Sequence, residues 1–373
     1  MFSDKENLRY SRQTILPQFG MEGQQLLKQS SVLVVGAGGL GGPVLSYLAG
    51  AGVGKIGIVD FDKVELSNLH RQVHFKESQI GKNKALAAKE NLALLNPDIE
   101  MVAYPTAIRR KNAESIIAEY DLVIDGSDNF PTRYLLNDAC FFLAKPLIYG
   151  AIHQWEGQVS VFNHVNLDGD LGPNYRDLFP HPPPAHQITS CAEGGVLGVL
   201  PGIIGSLQAI EAIKVLLSKP CLSGKLLIYD AMETTFTKLN IKAIDSNPIS
   251  GNDPTIRELL DYDLHCGISA ADEVSSIDVH NLKSFLKEKK CQMIDVREKI
   301  EYKEDHIAAL NIPLSNLSNR LQEINKNGPT ILICQSGKRS IQAIDILKKA
   351  DYENLYNLTG GMNAMRANNI IVE

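Results

Sequence analysis

SVLVVGAGGLGG (residues 31–42) is an apolar run that breaks into a cluster of glycines. A strand enters the cluster, and a small-residue helix leaves it from about Gly41 to Ala51. KIGIVD (residues 55–60) supplies the next strand and ends on an acidic residue. Glycine is needed in such a turn because the backbone must bend tightly and approach a phosphate with no Cβ in the way. The N–H groups at the helix start then face the anion, and an acid about 20 positions on accepts from ribose hydroxyls. This spacing suits an ATP user and an NAD-dependent oxidoreductase alike. A tight turn without a ligand is the plain alternative to both.

Working outward, LVID (122–125) and PLIY (146–149) read as further strands, with helical segments at 81–95, 111–119 and 131–144. Such alternation predicts α/β architecture, a Rossmann-like, mostly parallel sheet covered on both faces. From Gly157 the pattern changes, and GQVSVFN (157–163) and KLLIYDAMETTFTKLNI (225–241) predict antiparallel strands around one long helix. Periodicity fades over residues 241–275, which contain Asn247-Pro248 and Asp253-Pro254. The expected division is a first domain over 1–266, a linker over 267–275 and a small α/β domain over 276–373.

The chain has 373 residues, of which 44% are hydrophobic and 21% charged, as expected for globular domains with proper cores. Its net charge of −6 offers no general attraction to nucleic acid or an anionic membrane, so neither is an expected partner. The opening residues lack the apolar core of a signal peptide. The most apolar stretch, 194–217, is interrupted by Pro201, Gln208, Glu211 and Lys214, which predicts a buried helix and no membrane span. Cys140, Cys191, Cys221, Cys266, Cys291 and Cys334 are widely scattered. Reduced thiols in the cytoplasm fit this better than a disulfide framework.

DFDKVELSNLHRQ (60–72), GKNKA (81–85) and DGSDN (125–129) place cations and acids around the glycine turn. Transfer of an adenylyl group needs such charges, because a carboxylate attacks the α-phosphate and pyrophosphate leaves. Together with RYSRQ (9–13), GAGGLGG (36–42) and DGSDNFPTRYLLND (125–138), these segments resemble the molybdopterin-synthase and thiamine-biosynthesis adenylyltransferase (MoeB/ThiF) family, relatives of the ubiquitin-activating enzymes. The likeness runs from about Arg9 to Gly267. It implies that Gly36, Gly38, Gly39 and Gly41 hold the phosphates and Asp60 the ribose of ATP. It further implies that Ser67, Asn68, Arg71 and Lys84 meet the triphosphate, and that Asp128 binds Mg²⁺ with Asn129 beside it. Arg12, otherwise a solvated surface charge, matches an arginine that reaches the partner's ATP across a homodimer. The implied substrate is the C-terminal Gly-Gly carboxylate of a ubiquitin-like sulfur carrier, of the molybdopterin or the thiamine pathway.

SCAEGG (190–195) places Cys191 just before the long helix, where a helix dipole favours thiolate. A buried inert thiol is the ordinary reading of one cysteine. The resemblance implies a catalytic one, acting as a thioester or resolving an acyl disulfide. Many relatives carry two CxxC pairs holding zinc. Here Asn174 and Asp177 stand at the first pair, and the segment after Asn247-Pro248 has no cysteine, so no zinc is expected. Asp177, His181 and His186 as a different metal site compete with the simpler reading of exposed loop residues.

MIDVRE (293–298), NIPL (311–314), CQSGKRS (334–340) and LTGGM (358–362) resemble the rhodanese-like sulfurtransferases over about 274–373. The likeness implies a persulfide on Cys334. Loop N–H groups, Lys338 and Arg339 favour an anionic sulfur there, and Ser340 is expected to cap the next helix. A core cysteine at a strand end is the simpler reading. Asp305 stands where glycine is usual, and Met365 where tryptophan is common. Asp295 and Arg297 read as a structural pair. The expected enzyme adenylates a carrier and transfers sulfur to it, with a cysteine desulfurase as a candidate donor. An NAD-dependent oxidoreductase and a non-catalytic nucleotide-binding module are the rivals.

Overall fold

Two helices, α1 (Asp4–Thr14) and α2 (Gly20–Gln29), precede the first strand. Ser3 and Glu6 start α1 with a reciprocal capping box, which satisfies N–H groups the helix itself leaves unpaired. The computed structural model describes residues 2–166, 168–183, 195–262, 266, 275–288, 291–326, 328–368 and 370. It divides into two compact units, Met1–Cys266 and Gly267–Glu373.

The first unit is built on an eight-stranded sheet. Strands β1 (Ser31–Val35), β2 (Lys55–Val59), β3 (Glu100–Tyr104), β4 (Leu122–Asp125) and β5 (Leu147–His153) are parallel. Strands β6 (Glu156–Phe162), β7 (Lys225–Asp230) and β8 (Thr235–Asn240) continue it antiparallel. The order is β3-β2-β1-β4-β5-β6-β7-β8.

Alternation along the strands feeds two cores. Val32, Val34, Ile56 and Ile58 join one, with side chains of α3 (Gly41–Ala51) and α4 (Lys84–Leu95). Leu33, Val35, Val59 and Val123 join the other, against α5 (Arg110–Ile117) and α6 (Phe130–Phe142). Both faces are therefore covered, as near-continuous apolar strands require. The helix expected from residue 81 begins at Lys84, because Gly81 has φ +87° and Asn83 caps the helix by accepting from the Leu86 N–H.

Arg176 of α7 (Tyr175–Leu178) is fully buried and holds Asp138 through two side-chain bonds, of 2.8 and 2.7 Å. Most of the interrupted apolar stretch forms α8 (Leu200–Leu216). Gln208 donates to the Asp125 carbonyl at 2.7 Å, and Glu211 accepts from the Leu222 N–H at 2.7 Å. Among the described residues no helix is long and apolar enough to cross a membrane.

The second unit begins with β9 (Ser276–Ile277) and α9 (Val279–Glu288). It continues through β10 (Gln292–Asp295), α10 (Lys299–Glu304), β11 (Leu310–Asn311), β12 (Thr330–Ile333), α11 (Lys338–Lys349), β13 (Leu355–Leu358) and α12 (Gly361–Ala367). Its five strands are all parallel, in the order β11-β10-β12-β13-β9. Asp295 and Arg297 are fully buried and paired to each other at 2.7 Å, and Met365 fills the core beside Met362. Asp305 pairs with Arg366 on the surface.

Candidate functional site: a nucleotide cleft and a cysteine loop

Strand order reverses direction between β1 and β4, which opens a crevice at the carboxyl ends of a parallel sheet. Val35 is in register with Val59 on one side and Asp125 on the other. The turns that begin at Gly36, Asp60 and Gly126 thus emerge side by side. Gly36 has φ +94°, and a Cβ there would lie 2.6 Å from the Gly126 carbonyl oxygen, so only glycine lets these turns approach.

Gly36, Gly38, Gly39 and Asp60 line the resulting cleft, as do Arg71, Lys84, Asp128 and Asn129. Asp60 accepts from the N–H groups of Ala37 and Asp62, each at 2.8 Å. Burial pushes its carboxyl above the usual range, while the charge of Lys84 opposes that shift. The Lys84 ammonium lies 3.1 Å from Asp62 Oδ2, its own side chain buried and that of Asp62 half exposed. Asn129 caps α6, accepting from the Thr132 N–H at 3.0 Å.

Four expected residues lie outside the lining. A Cβ on Gly41 would run into the Gly36 carbonyl, so this glycine serves close packing of helix against turn. Asn68 accepts from the Glu65 N–H at 3.2 Å and Ser67 donates to the Glu65 carboxylate at 3.3 Å, closing a local turn. Arg71 donates to the Ser67 carbonyl at 3.0 Å, which links that turn to the cleft. Arg12 is exposed in the last turn of α1. Cys191 and His186 lie outside the described residues.

In the second unit Cys334 follows β12 and is fully buried. Its sulfur accepts from the Gly337 N–H at 3.1 Å and lies 3.4 Å from Ser340 Oγ. Gly337, with φ +89°, is itself the cap of α11, so Ser340 sits inside the helix. There its hydroxyl donates to Asn357 Oδ1 at 2.6 Å, which corrects the expected capping role. The expectation for Arg339 is corrected too. It makes a bidentate pair with Glu301, both bonds 2.7 Å, so its charge is largely compensated. Arg339 in turn holds the Glu301 carboxyl below its usual range.

A family model described as "ThiF family" matches residues 10–248. The chain belongs to the ThiF family. A rhodanese-like domain model matches residues 278–368. The chain is 56% identical over 267 residues to a sulfur carrier protein adenylyltransferase of Thermus thermophilus, covering 71% of this chain and 98% of that protein. It is 42% identical to a probable adenylyltransferase/sulfurtransferase, MoeZ, of Mycobacterium tuberculosis, over 97% of this chain and 93% of that one. It is 39% identical to the adenylyltransferase and sulfurtransferase MOCS3 of Culex quinquefasciatus, over 98% and 88%. Among solved structures, Escherichia coli MccB with ATP aligns at TM-score 0.56 and 23% identity, over 65% of this chain and 75% of that one, a likeness of fold. This ThiF-family chain is an enzyme, an adenylyltransferase joined to a rhodanese-like sulfurtransferase part.

The ThiF-family cleft includes residues that the motifs alone did not single out. Asp62 lies two residues beyond Asp60, and Arg133 lies one helical turn beyond Asn129, an i,i+4 spacing that carries the signal for it. Arg133 Nε lies 3.9 Å from Asp125 Oδ2, and Asp125 is fully buried.

At the positions expected to have lost CxxC pairs, the side chains present do not suit a zinc ion. Asn174 Nδ2 donates to Ser250 Oγ at 2.8 Å and Asn247 Nδ2 donates to Asp177 Oδ1 at 2.7 Å. Asp177 Oδ2 accepts from the Asn174 N–H at 2.7 Å. Amides with N–H groups aimed at their neighbours leave one carboxylate where tetrahedral zinc wants thiolate or imidazole. Among the described residues, no three His, Cys, Asp or Glu side chains are grouped to hold a metal ion.

Proposed function

We propose that residues 1–266 adenylate the C-terminal glycine carboxylate of a ubiquitin-like sulfur carrier, that 267–275 form a linker, and that 276–373 deliver sulfur from a persulfide on Cys334. The observation that carries this reading is one cleft in which Asp60, Arg71, Lys84 and Asp128 converge on a glycine turn. The same chain holds a buried cysteine that accepts a loop N–H.

In the first step the carrier's carboxylate attacks the α-phosphorus of ATP, and pyrophosphate leaves. The glycine turn holds phosphate oxygens through backbone N–H groups, Asp60 receives ribose hydroxyls, and Arg71 and Lys84 meet the charge that grows on the departing group. Asp128 is the carboxylate suited to Mg²⁺, which when bound supplies further positive charge against the triphosphate. In the second step the terminal sulfur of the Cys334 persulfide attacks the acyl carbon and AMP leaves. The resulting acyl disulfide is cleaved by the Cys191 thiolate, which releases the carrier thiocarboxylate and leaves a Cys191–Cys334 disulfide for a thiol reductant to reset. Tethering both activities on one chain raises the local concentration of persulfide near a hydrolysable intermediate.

The reading includes a homodimer in which Arg12 reaches the partner's nucleotide, a cysteine desulfurase as donor, and a cytoplasmic setting. All described cysteines are free thiols, as that setting requires. ATP–pyrophosphate exchange tests the first step, with molybdopterin-type and thiamine-type carriers added separately. Exchange is expected with at least one of them. Binding of NAD without exchange would favour an oxidoreductase, and exchange with no carrier would leave a nucleotide-binding module.

A further inference from the structure

His74 lies outside the cleft lining, behind the glycine turn. Its Nε2 is 3.0 Å from the Ala37 carbonyl oxygen. A carbonyl only accepts, so Nε2 carries the proton. Nδ1 is buried and has no hydrogen-bond partner among the described residues, and burial holds the imidazole down at about 4. At neutral pH the ring is thus an uncharged, single-tautomer donor.

The Ala37 N–H meanwhile donates to Asp60 Oδ2 at 2.8 Å, so both backbone polar groups of Ala37 are held. The peptide joining Ala37 to Gly38 is planar and trans, which sends its C=O and N–H to opposite sides. With the carbonyl tied back to His74, the Gly38 N–H is turned the other way, and Gly38 lines the cleft where His74 does not. Gly42 supplies the room. It lies in the first turn of α3, where glycine has no conformational necessity, and a Cβ there would run into Nδ1 and Cε1 of the ring.

We propose that His74 is a positioning residue for the adenylation reaction: its Nε2–H holds the Ala37 carbonyl so that the Gly38 N–H is aimed at a nucleotide phosphate, and Gly42 seats its ring. This rests on the ATP reading of the cleft.

The test is titration calorimetry with ATP and with adenosine, on wild type and the variants H74F, H74Q and G42A. H74F keeps a ring and removes the donor. It is expected to weaken ATP about fivefold, the worth of one neutral hydrogen bond, while adenosine affinity stays within about twofold. H74Q, whose amide can donate from a similar reach, restores ATP binding. G42A reproduces the ATP defect by displacing the ring, and adds nothing in an H74A background. Should H74F fail to fold, G42A carries the same comparison. H74F or G42A binding ATP as wild type does, losing ATP and adenosine alike, or H74Q failing as H74F does would each overturn the proposal. Wild type that binds neither ligand would overturn the ATP reading itself.

Discussion

Replacing Arg133 with Met probes the charge buried under the nucleotide cleft. Asp125 is fully buried, and its Oδ1 accepts from the N–H and hydroxyl of Ser127 at 2.9 and 2.6 Å. Among the described residues Oδ2 makes no hydrogen bond, and it faces the Arg133 guanidinium at 3.9 Å. Burial pushes the Asp125 carboxyl above its usual range, and Arg133 is the main group opposing the shift. Methionine keeps the apolar stem and removes the charge, so the carboxyl escapes an unpaired state by taking a proton. The cost of that route is at most 1.36 kcal/mol for each pH unit above the ordinary Asp value, about 4 kcal/mol at pH 7 and about 2 kcal/mol at pH 5.5. The sign follows from proton uptake by the folded form, whose pKa lies above that of the unfolded chain. The R133M deficit therefore shrinks as pH falls and grows as it rises. At about 2–4 °C per kcal/mol for a unit of this size, Tm should fall by up to about 8–16 °C at pH 7 and by about half that at pH 5.5. Differential scanning calorimetry at the two pH values measures this, with D125N/R133M expected to lose the pH dependence. A deficit equal at both, or deeper at pH 5.5, would refute the buried-charge account.

Three further outcomes are expected. K84M should lower the adenylation kcat by about 100- to 1000-fold in the pyrophosphate-exchange assay, as loss of one charge-stabilising group does. E301Q should raise the rate of sulfur uptake from thiosulfate, since it releases Arg339 from its carboxylate partner, and cyanide-dependent thiocyanate formation reads this directly. N247A should destabilise the first unit by about 1–3 kcal/mol, because Asp177 loses a buried donor, whereas a zinc chelator should leave the wild-type melting curve unmoved.

The parts of this molecule legible from sequence are those whose cause is local. The glycine turn, Asp60 and the alternation of strands and helices are written in short-range spacing, and the parallel sheet follows from them. The antiparallel continuation is legible because the strand–helix alternation gives way from Gly157 to two strand-like runs, GQVSVFN and KLLIYD, with one long helix between them. Arg133 was not singled out, because its importance comes from Asp125, whose burial depends on β4 lying between β1 and β5. The place of Ser340 escapes the local pattern for a related reason. Glycine at φ +89° turns the chain into α11 three residues earlier and leaves the hydroxyl facing Asn357 across the unit. The compensation of Arg339 by Glu301 joins residues 38 apart, a pairing no local pattern announces. The same holds for Asn174 and Asn247, whose bonds to Ser250 and Asp177 tie together residues 76 and 70 positions apart.

Mass spectrometry of the carrier tests the central claim most directly. Protein, carrier, ATP, Mg²⁺ and a persulfide source are incubated together, and the intact carrier is weighed. Wild type should replace one oxygen of the carrier's terminal carboxylate with sulfur, and C334A should abolish that replacement while pyrophosphate exchange continues. A carrier left unchanged by wild type, or one still converted by C334A, would contradict the account.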